Sequence, residues 1–305
     1  MHAYLIIAHN QFELLNQLLR AIDYVENDIF IHIDQKAGNI DEQKIVEGIT
    51  KSQVHFIKRQ NIVWGHFSQI ECELSLFTAA VEKKDYQYLH LISGVDFPIK
   101  SQKYIHEFFD RNNGKEFIHF EGKDFPEEDY EKVRCYYPLQ KYVGNKKKDS
   151  SFLYCIQRAI VNTQKLLKVD RHKKENIRFY KGANWVSITG AFARYLVEHK
   201  EELYKTYRYS MCCDEVFVHT LFMNSPFQDN LYDKSFADDY KMCKRYIDWN
   251  RGGPYVFRLE DYDELMASDA LFARKFSYDI DRQIVDKIYQ NIKETGYSVI
   301  EVKSE

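Results

Sequence analysis

HLISGVDFPIKS, residues 90–101, is the stretch that decides the fold. A strand-like apolar run leads into a Ser-Gly turn, a single acid at Asp96 and a proline, and the carboxyl end of such a strand is where a nucleotide-type α/β sheet takes its ligand. Working outward, residues 3–8 form a second apolar run, after which Phe12, Leu15, Leu18, Leu19 and Ile22 recur at the three-and-four spacing of an amphipathic helix. Residues 29–33 and 54–57 read as strands, and residues 68–81 as a helix turned inward through Ile70, Leu74 and Phe77. Residues 86–92 are the strand that ends in the turn. This alternation predicts an α/β protein with a Rossmann-like, mostly parallel central sheet flanked by helices.

Beyond residues 116–120 the pattern loosens. A charged loop at 144–149 is followed by a helix from 152 to about 167, a strand at 185–188, and helices at 191–199 and 214–222. The last of these is expected to hold Asp214 and Glu215 in its first turn. An irregular stretch runs to Trp249, and helices at 261–267 and 281–292 close the chain. No repeat, low-complexity tract or Pro/Gly-rich linker divides it, so residues 1–305 are expected to form one domain of two cooperating halves.

Composition narrows the class. With 45% hydrophobic residues the 305-residue chain can bury a large core, and a disordered or fibrous protein is excluded. Its 43 basic and 46 acidic residues give a net charge of −3, which supplies no general attraction for nucleic acid, so any anion recognition is local. The six cysteines show no C-x-x-C pair and read as reduced, structural thiols. No apolar run approaches the roughly 20 residues of a spanning helix, and residues 3–8 are too short for a signal-peptide core. A cytoplasmic protein is expected, with at most peripheral contact at the inner face of a membrane.

Motifs exclude more than they assign. There is no G-x-x-x-x-G-K-[ST] of a phosphate-binding ATPase, no G-x-G-x-x-G after the first strand, and no zinc-ligand spacing. Two Asp-x-Asp strings, Asp261-Tyr262-Asp263 and Asp279-Ile280-Asp281, fall at predicted helix starts, where N-terminal turns favour acids. Asp214-Glu215 carries two readings: acids at a helix start satisfy unpaired backbone N–H groups, and a carboxylate in a cleft can act as a general base. Asp34, after the strand at 29–33, is a turn former or a hydrogen-bond acceptor for a nucleoside. Trp185 and Trp249 offer indole faces suited to a sugar ring or to a core.

Taken in order, the segments at 63–71 (VWGHFSQIE), 90–101, 181–189 (KGANWVSIT), 212–220 (CCDEVFVHT) and 271–276 (LFARKF) resemble the core 2/I-branching β-1,6-N-acetylglucosaminyltransferases and their peptide O-xylosyltransferase relatives, in the manner of a bacterial member. The resemblance runs from about Tyr4 to about Phe276. It implies a GT-A type fold, a nucleotide-binding half at 1–120 and an acceptor-binding and catalytic half at 121–305. It further implies an inverting transferase that moves a sugar, N-acetylglucosamine first among the candidates, from UDP to a hydroxyl of a glycan or lipid-linked oligosaccharide. No cofactor is expected, because the family works without a metal and meets the departing diphosphate with basic side chains.

Residue by residue, the resemblance makes Glu215 the general base, and places Asp214, Asp96 and Gly94 near donor sugar or acceptor, with Trp185 and Trp249 flanking. Lys275 matches the family's diphosphate-binding lysine, with Arg274 beside it. The family's second cation has no match, since Tyr255 falls near its place, so Arg251 or Arg258 is expected to substitute. His9 matches a first-loop histidine near the nucleotide, which Asp34 would help to hold. Trp64, Gly65 and Ser68 match the entry to the long helix, where packing is expected.

Overall fold

The computed structural model describes residues 1–144, 151–175 and 177–297. Strands β1 (His2–Ala8), β2 (Asn27–Ile33), β3 (Gln53–Phe56) and β4 (Tyr88–Ser93) build the central sheet, which β5 (Asp96–Pro98) leaves and β6 (Ser187–Thr189) joins. The sheet order is β3-β2-β1-β4-β6. β1 runs parallel to β2 and β4, and β2 parallel to β3, as the alternation predicts. β6 pairs antiparallel with β4. β5, β7 (Arg245–Ile247) and β8 (Phe272–Arg274) form a second sheet in the order β5-β8-β7. The stretch at 90–101 therefore closes one sheet and opens the other.

β1 shows why its sequence is almost continuously apolar: a parallel strand in mid-sheet is covered on both faces. Because successive side chains alternate, Ala3 and Leu5 face one cluster with Ile70, Leu74, Phe77 and Phe192, while Tyr4, Ile6 and Ala8 face another with Leu15, Leu18 and Ile288. The first cluster is supplied by α3 (Ser68–Lys83) and α8 (Gly190–Glu198), the second by α1 (Phe12–Ile22) and α12 (Arg282–Tyr297), with the short α2 (Glu42–Ile45) beside α1. Each fully buried Leu, Ile or Phe contributes about 1.5–3 kcal/mol. Gly94 marks the closest approach, since a Cβ there would stand 2.9 Å from that of Ala8.

The remaining helices are α4 (Gln102–Arg111), α5 (Glu127–Arg134), α6 (Gln140–Val143), α7 (Ser151–Leu166), α9 (Lys200–Tyr207), α10 (Phe217–Met223) and α11 (Tyr262–Ala267). Residues 116–120 make isolated bridges to Ser187 and Leu231. The loop expected at 144–149 lies outside the described residues after Gly144. All six cysteines are free.

One expected element is broken. Residues 214–222 are split into a 3-10 turn, Cys213–Glu215, and α10, with Cys212 in the left-handed region at φ 54°. The Glu215 carbonyl accepts from the backbone N–H of Gly182 at 3.0 Å, so it is turned out of the helical ladder, and Val216 provides the first acceptor of α10 to Thr220. Glu215 thus stands on a separate turn, aimed by the 181–185 segment.

Candidate active site

A cleft of about 1020 Å³ opens between the 181–185 segment, the Glu215 turn and the edge of the second sheet. Gln69, Lys181, Asn184, Trp185, Glu215 and Trp249 are among its lining residues. Gly182 is where the floor is tightest: a Cβ there would collide with the His119 carbonyl oxygen at 1.9 Å. The glycine lets two segments touch and leaves Lys181 and Asn184 on either side of the Glu215 turn.

Three acids meet at that floor. The Glu215 side chain is 45% exposed and its Oε2 lies 3.9 Å from Lys181 Nζ, while the same ammonium bridges Glu121 and Asp129 at 2.9 Å each. Burial raises the Glu215 pKa above the usual carboxylate value, with Lys181 opposing. Asp214 is buried and accepts from Gln69 Nε2 at 2.7 Å. Burial, then the neighbouring Glu215 charge, pushes it up to about 7. Behind both lies Glu73, 1% exposed, whose Oε1 accepts from Asn184 Nδ2 at 3.3 Å and whose Oε2 has no partner among the described residues. Burial, then the Asp214 charge, drives its pKa well above the ordinary value. Burial works against the Lys181 ammonium, yet Asp129 and Glu121 hold its pKa above that of a free lysine.

The arrangement sorts protons. Glu73 and Asp214, enclosed and crowded by like charge, tend to keep theirs, whereas Glu215 alone of the three combines access to the cleft with a facing ammonium. Such divergence between neighbouring acids separates the group that takes a proton from those that hold one. Sequence reasoning missed Glu73. The signal was present, because Glu73 lies three residues after Ile70 and four before Phe77, an acid on the inward stripe of α3.

Trp185 and Trp249 both line the cleft. Arg274 places its guanidinium 4.6 Å from the Trp185 ring centroid, and Trp249, 53% exposed, donates its indole N–H to the Tyr240 hydroxyl at 2.7 Å. Arg274 also reaches away from the cleft: its NH1 lies 2.7 Å from Asp96 Oδ1. Asp96 is 1% exposed and accepts from the Ser93 N–H at 2.8 Å and the Ser93 hydroxyl at 2.7 Å. Its oxygens are thus engaged in holding the turn and Arg274, and it reaches the cleft only through that arginine. Gly94, packed on Ala8, serves the same turn.

At the end of β2, Asp34 is 6% exposed, accepts from the Lys36 N–H at 2.8 Å and pairs with Lys36 Nζ at 3.3 Å. His9, at the solvent edge of the first loop, has its pKa lowered by partial burial, with Asp34 opposing and Lys36 and Arg274 adding to the shift. That set of influences brings His9, Asp34 and Arg274 into one neighbourhood. Lys275 is half-buried. Its backbone bonds to Tyr255 and Phe257, and among the described residues no carboxylate pairs with its ammonium. Arg251 is placed differently, for it pairs with Asp248, Asp261 and Glu264 and lies 4.2 Å over the Tyr255 ring. Three carboxylates answer its charge. Arg258 is exposed and gives its backbone N–H to Asp261.

A further cation went unread in the sequence. Arg245 contributes to the cleft lining, is 3% exposed, and donates to the Cys243 and Val186 carbonyls and the Ser187 hydroxyl, with its Nε left without a partner. Its signal was a charged residue inside a short strand. The Asp-x-Asp strings serve caps: Asp261 accepts from Arg258 N–H, and Asp281 from Leu259, Gln283 and Ile284 N–H groups. Trp64 is 60% exposed where packing was expected, because the left-handed Gly65 (φ +69°) turns the chain there; Ser68 accepts from Val63 N–H and fixes the helix start. Among the described residues no three His, Cys, Asp or Glu side chains converge as a metal site.

Among known proteins, Xylosyltransferase oxt of Drosophila pseudoobscura pseudoobscura is 23% identical over 291 residues, 89% of this chain and 31% of that protein. Xylosyltransferase 1 of Rattus norvegicus is 22% identical over 304 residues, 94% of this chain and 35% of the relative. The chain thus spans about a third of the length of these curated relatives. A solved structure of mouse Xyloside xylosyltransferase 1 in its apo form aligns over 90% of this chain and 97% of that one, at 8% identity and a TM-score of 0.38, a likeness too slight to bear on the site. The Core-2/I-Branching enzyme family model matches residues 2–266. The match takes in the Glu215 turn, the 181–185 segment and the Ser-Gly turn together, and the chain belongs to the Core-2/I-Branching enzyme family.

Proposed function

We propose that the chain is an inverting, metal-independent glycosyltransferase that moves a sugar from a UDP-sugar to a hydroxyl of a glycan, including a lipid-linked one. The observation that carries this reading is Glu215, a cleft-facing carboxylate opposite Lys181 and in front of two buried acids. In the reaction, Glu215 takes the acceptor O–H proton as that oxygen attacks the anomeric carbon. The new C–O bond forms on the face opposite the departing diphosphate, whose bond breaks with both electrons passing to its terminal oxygen. Fixed cations meet that charge in place of a metal. Lys275, without a carboxylate of its own, is the first of them; Arg274 and Arg245 are better disposed than Arg251 to be the second. His9 and Asp34 belong to the nucleoside end.

N-acetylglucosamine remains the donor sugar we favour, in keeping with the branching-enzyme motifs, and the xylosyltransferase relatives favour xylose as the second reading. Calorimetric titration with UDP and a panel of UDP-sugars, with EDTA and with manganese, tests both. Metal-free binding that weakens in Lys275→Ala but not in Glu215→Gln supports the reading, and the preferred sugar names the donor. Binding that requires manganese, or no binding of any UDP compound, sinks it.

A further inference from the structure

We infer that α7, with the neighbouring Tyr142 and Trp64, is a docking face for an anionic lipid surface. α7 has two unlike faces. Gln157 and Val161 are buried, the latter with Cys135 and Tyr137, and they fix the helix to the body of the protein. On the opposite side Phe152, Cys155, Ala159 and Leu166 follow at three-, four- and seven-residue spacing, so they share one stripe. All four are exposed, Phe152 at 74% and Leu166 at 84%. Leu167, just past the end of α7, is exposed at 72%. Tyr142 of α6, which packs on α7, is exposed, and so is Trp64, whose carbonyl accepts from Gln140 of α6 at 3.2 Å. Large apolar side chains gathered on one surface mark an interaction site.

Charge selects the partner. Residues 136–144 and 151–175 hold seven Lys or Arg against two Asp or Glu, in a chain whose totals are 43 and 46. Arg158 and Lys165 border the apolar stripe, and Lys168, Lys173 and Lys174 follow beyond it; Lys165 pairs with Glu131, while Arg158, Lys168, Lys173 and Lys174 have no carboxylate partner among the described residues. A bare basic patch suits any polyanion, whereas bulky apolar groups between basic ones suit an interface of acyl chains and anionic headgroups. The face also adjoins the site. Gly65, next to Trp64, accepts from the Cys212 N–H at 3.0 Å, and α5 carries both Glu131, bound to Lys165 of α7, and Asp129, bound to Lys181 opposite Glu215. Docking therefore brings the cleft to headgroup level, where the hydroxyl of a lipid-linked acceptor stands; that last consequence rests on the transferase reading, the docking itself does not.

Flotation of the full chain with phosphatidylcholine vesicles, with and without about 30 mol% phosphatidylglycerol, tests the inference in the absence of any sugar nucleotide. The expected result is partitioning onto anionic vesicles that weakens as salt rises above about 0.1 M. Phe152→Ser/Leu166→Ser and Arg158→Glu/Lys168→Glu should each lower it about tenfold with thermal melting and UDP binding unchanged. A fluorophore on Cys155 should shift to the blue and be quenched by brominated lipid, a readout that needs no folding-sensitive variant. Absence of flotation, equal partitioning of the variants, an unquenched label, or capture of RNA or heparin without vesicle binding would overturn it. A protein that floats as described but binds no UDP compound keeps the docking face and loses the transferase reading.

Discussion

The acids of two regions, the strand ends of the central sheet and the floor of the cleft, obey opposite rules. Asp34 and Asp96, at strand ends of the central sheet, have their oxygens matched by backbone N–H groups, a hydroxyl or a cation. Glu73, Asp214 and Glu215, at the floor of the cleft, are crowded by one another and by burial, and one oxygen of Glu73 has no partner among the described residues. A satisfied carboxylate holds a turn in place, and an under-satisfied one in low dielectric is poised to exchange a proton. Local geometry therefore shows the first pair holding turns, and of the second group it leaves Glu215 facing the cleft.

The sharpest way to break this contrast is to remove one acid from each side. Glu215→Gln keeps shape and hydrogen bonding but cannot accept the acceptor proton, so turnover should fall about 10²–10⁴-fold with UDP-sugar affinity unchanged, measured by radiolabelled sugar transfer. Asp96→Ala should do the reverse, lowering stability by about 3–5 kcal/mol in urea unfolding, because Arg274 is left partly buried without its counter-charge. If Asp96→Ala abolished turnover in a protein of unchanged stability, Asp96 would belong with the chemistry and the contrast would collapse. Lys275→Ala is expected to have a smaller effect than either. Loss of a charged contact of about 1.5–3 kcal/mol should weaken UDP binding about 10–100-fold in calorimetry. Arg251→Ala, whose cation already serves three carboxylates, should leave that affinity within about twofold.

How far residues could be read from sequence followed the same division. The parallel sheet was legible because β1 and β2 are apolar runs that only a doubly covered strand permits, and α1 because its stripe has a clear period. Glu215 was legible through its dipeptide and segment order. Its setting was not: the break at Val216 depends on a bond from Gly182, distant in sequence, that no local pattern announces. Glu73 was hidden for a different reason. A lone charge inside an apolar period reads as a blemish until the fold shows what surrounds it, and Arg251 read as a free cation until Asp248, Asp261 and Glu264 were placed around it.

Among the effects on stability, the smallest expected is also the one that reads the acid cluster directly. Asp214 titrates near 7 in the fold against 3.8 in the open chain. Between those values the folded state holds a proton that the unfolded state has released, so stability falls as pH rises from about 4 to about 7 and levels off above. Asp214→Asn removes that slope, and Glu73→Gln, mimicking an acid that keeps its proton, does the same for its neighbour. Relative to wild type, Asp214→Asn should therefore gain about 1–2 kcal/mol between pH 5 and pH 8 in urea unfolding, even where its absolute stability at pH 5 is lower, and Glu73→Gln should change in the same direction. If Asp214→Asn tracked wild type across that range, the cluster would be solvated rather than enclosed, and Glu215 would have no special environment to make it a base.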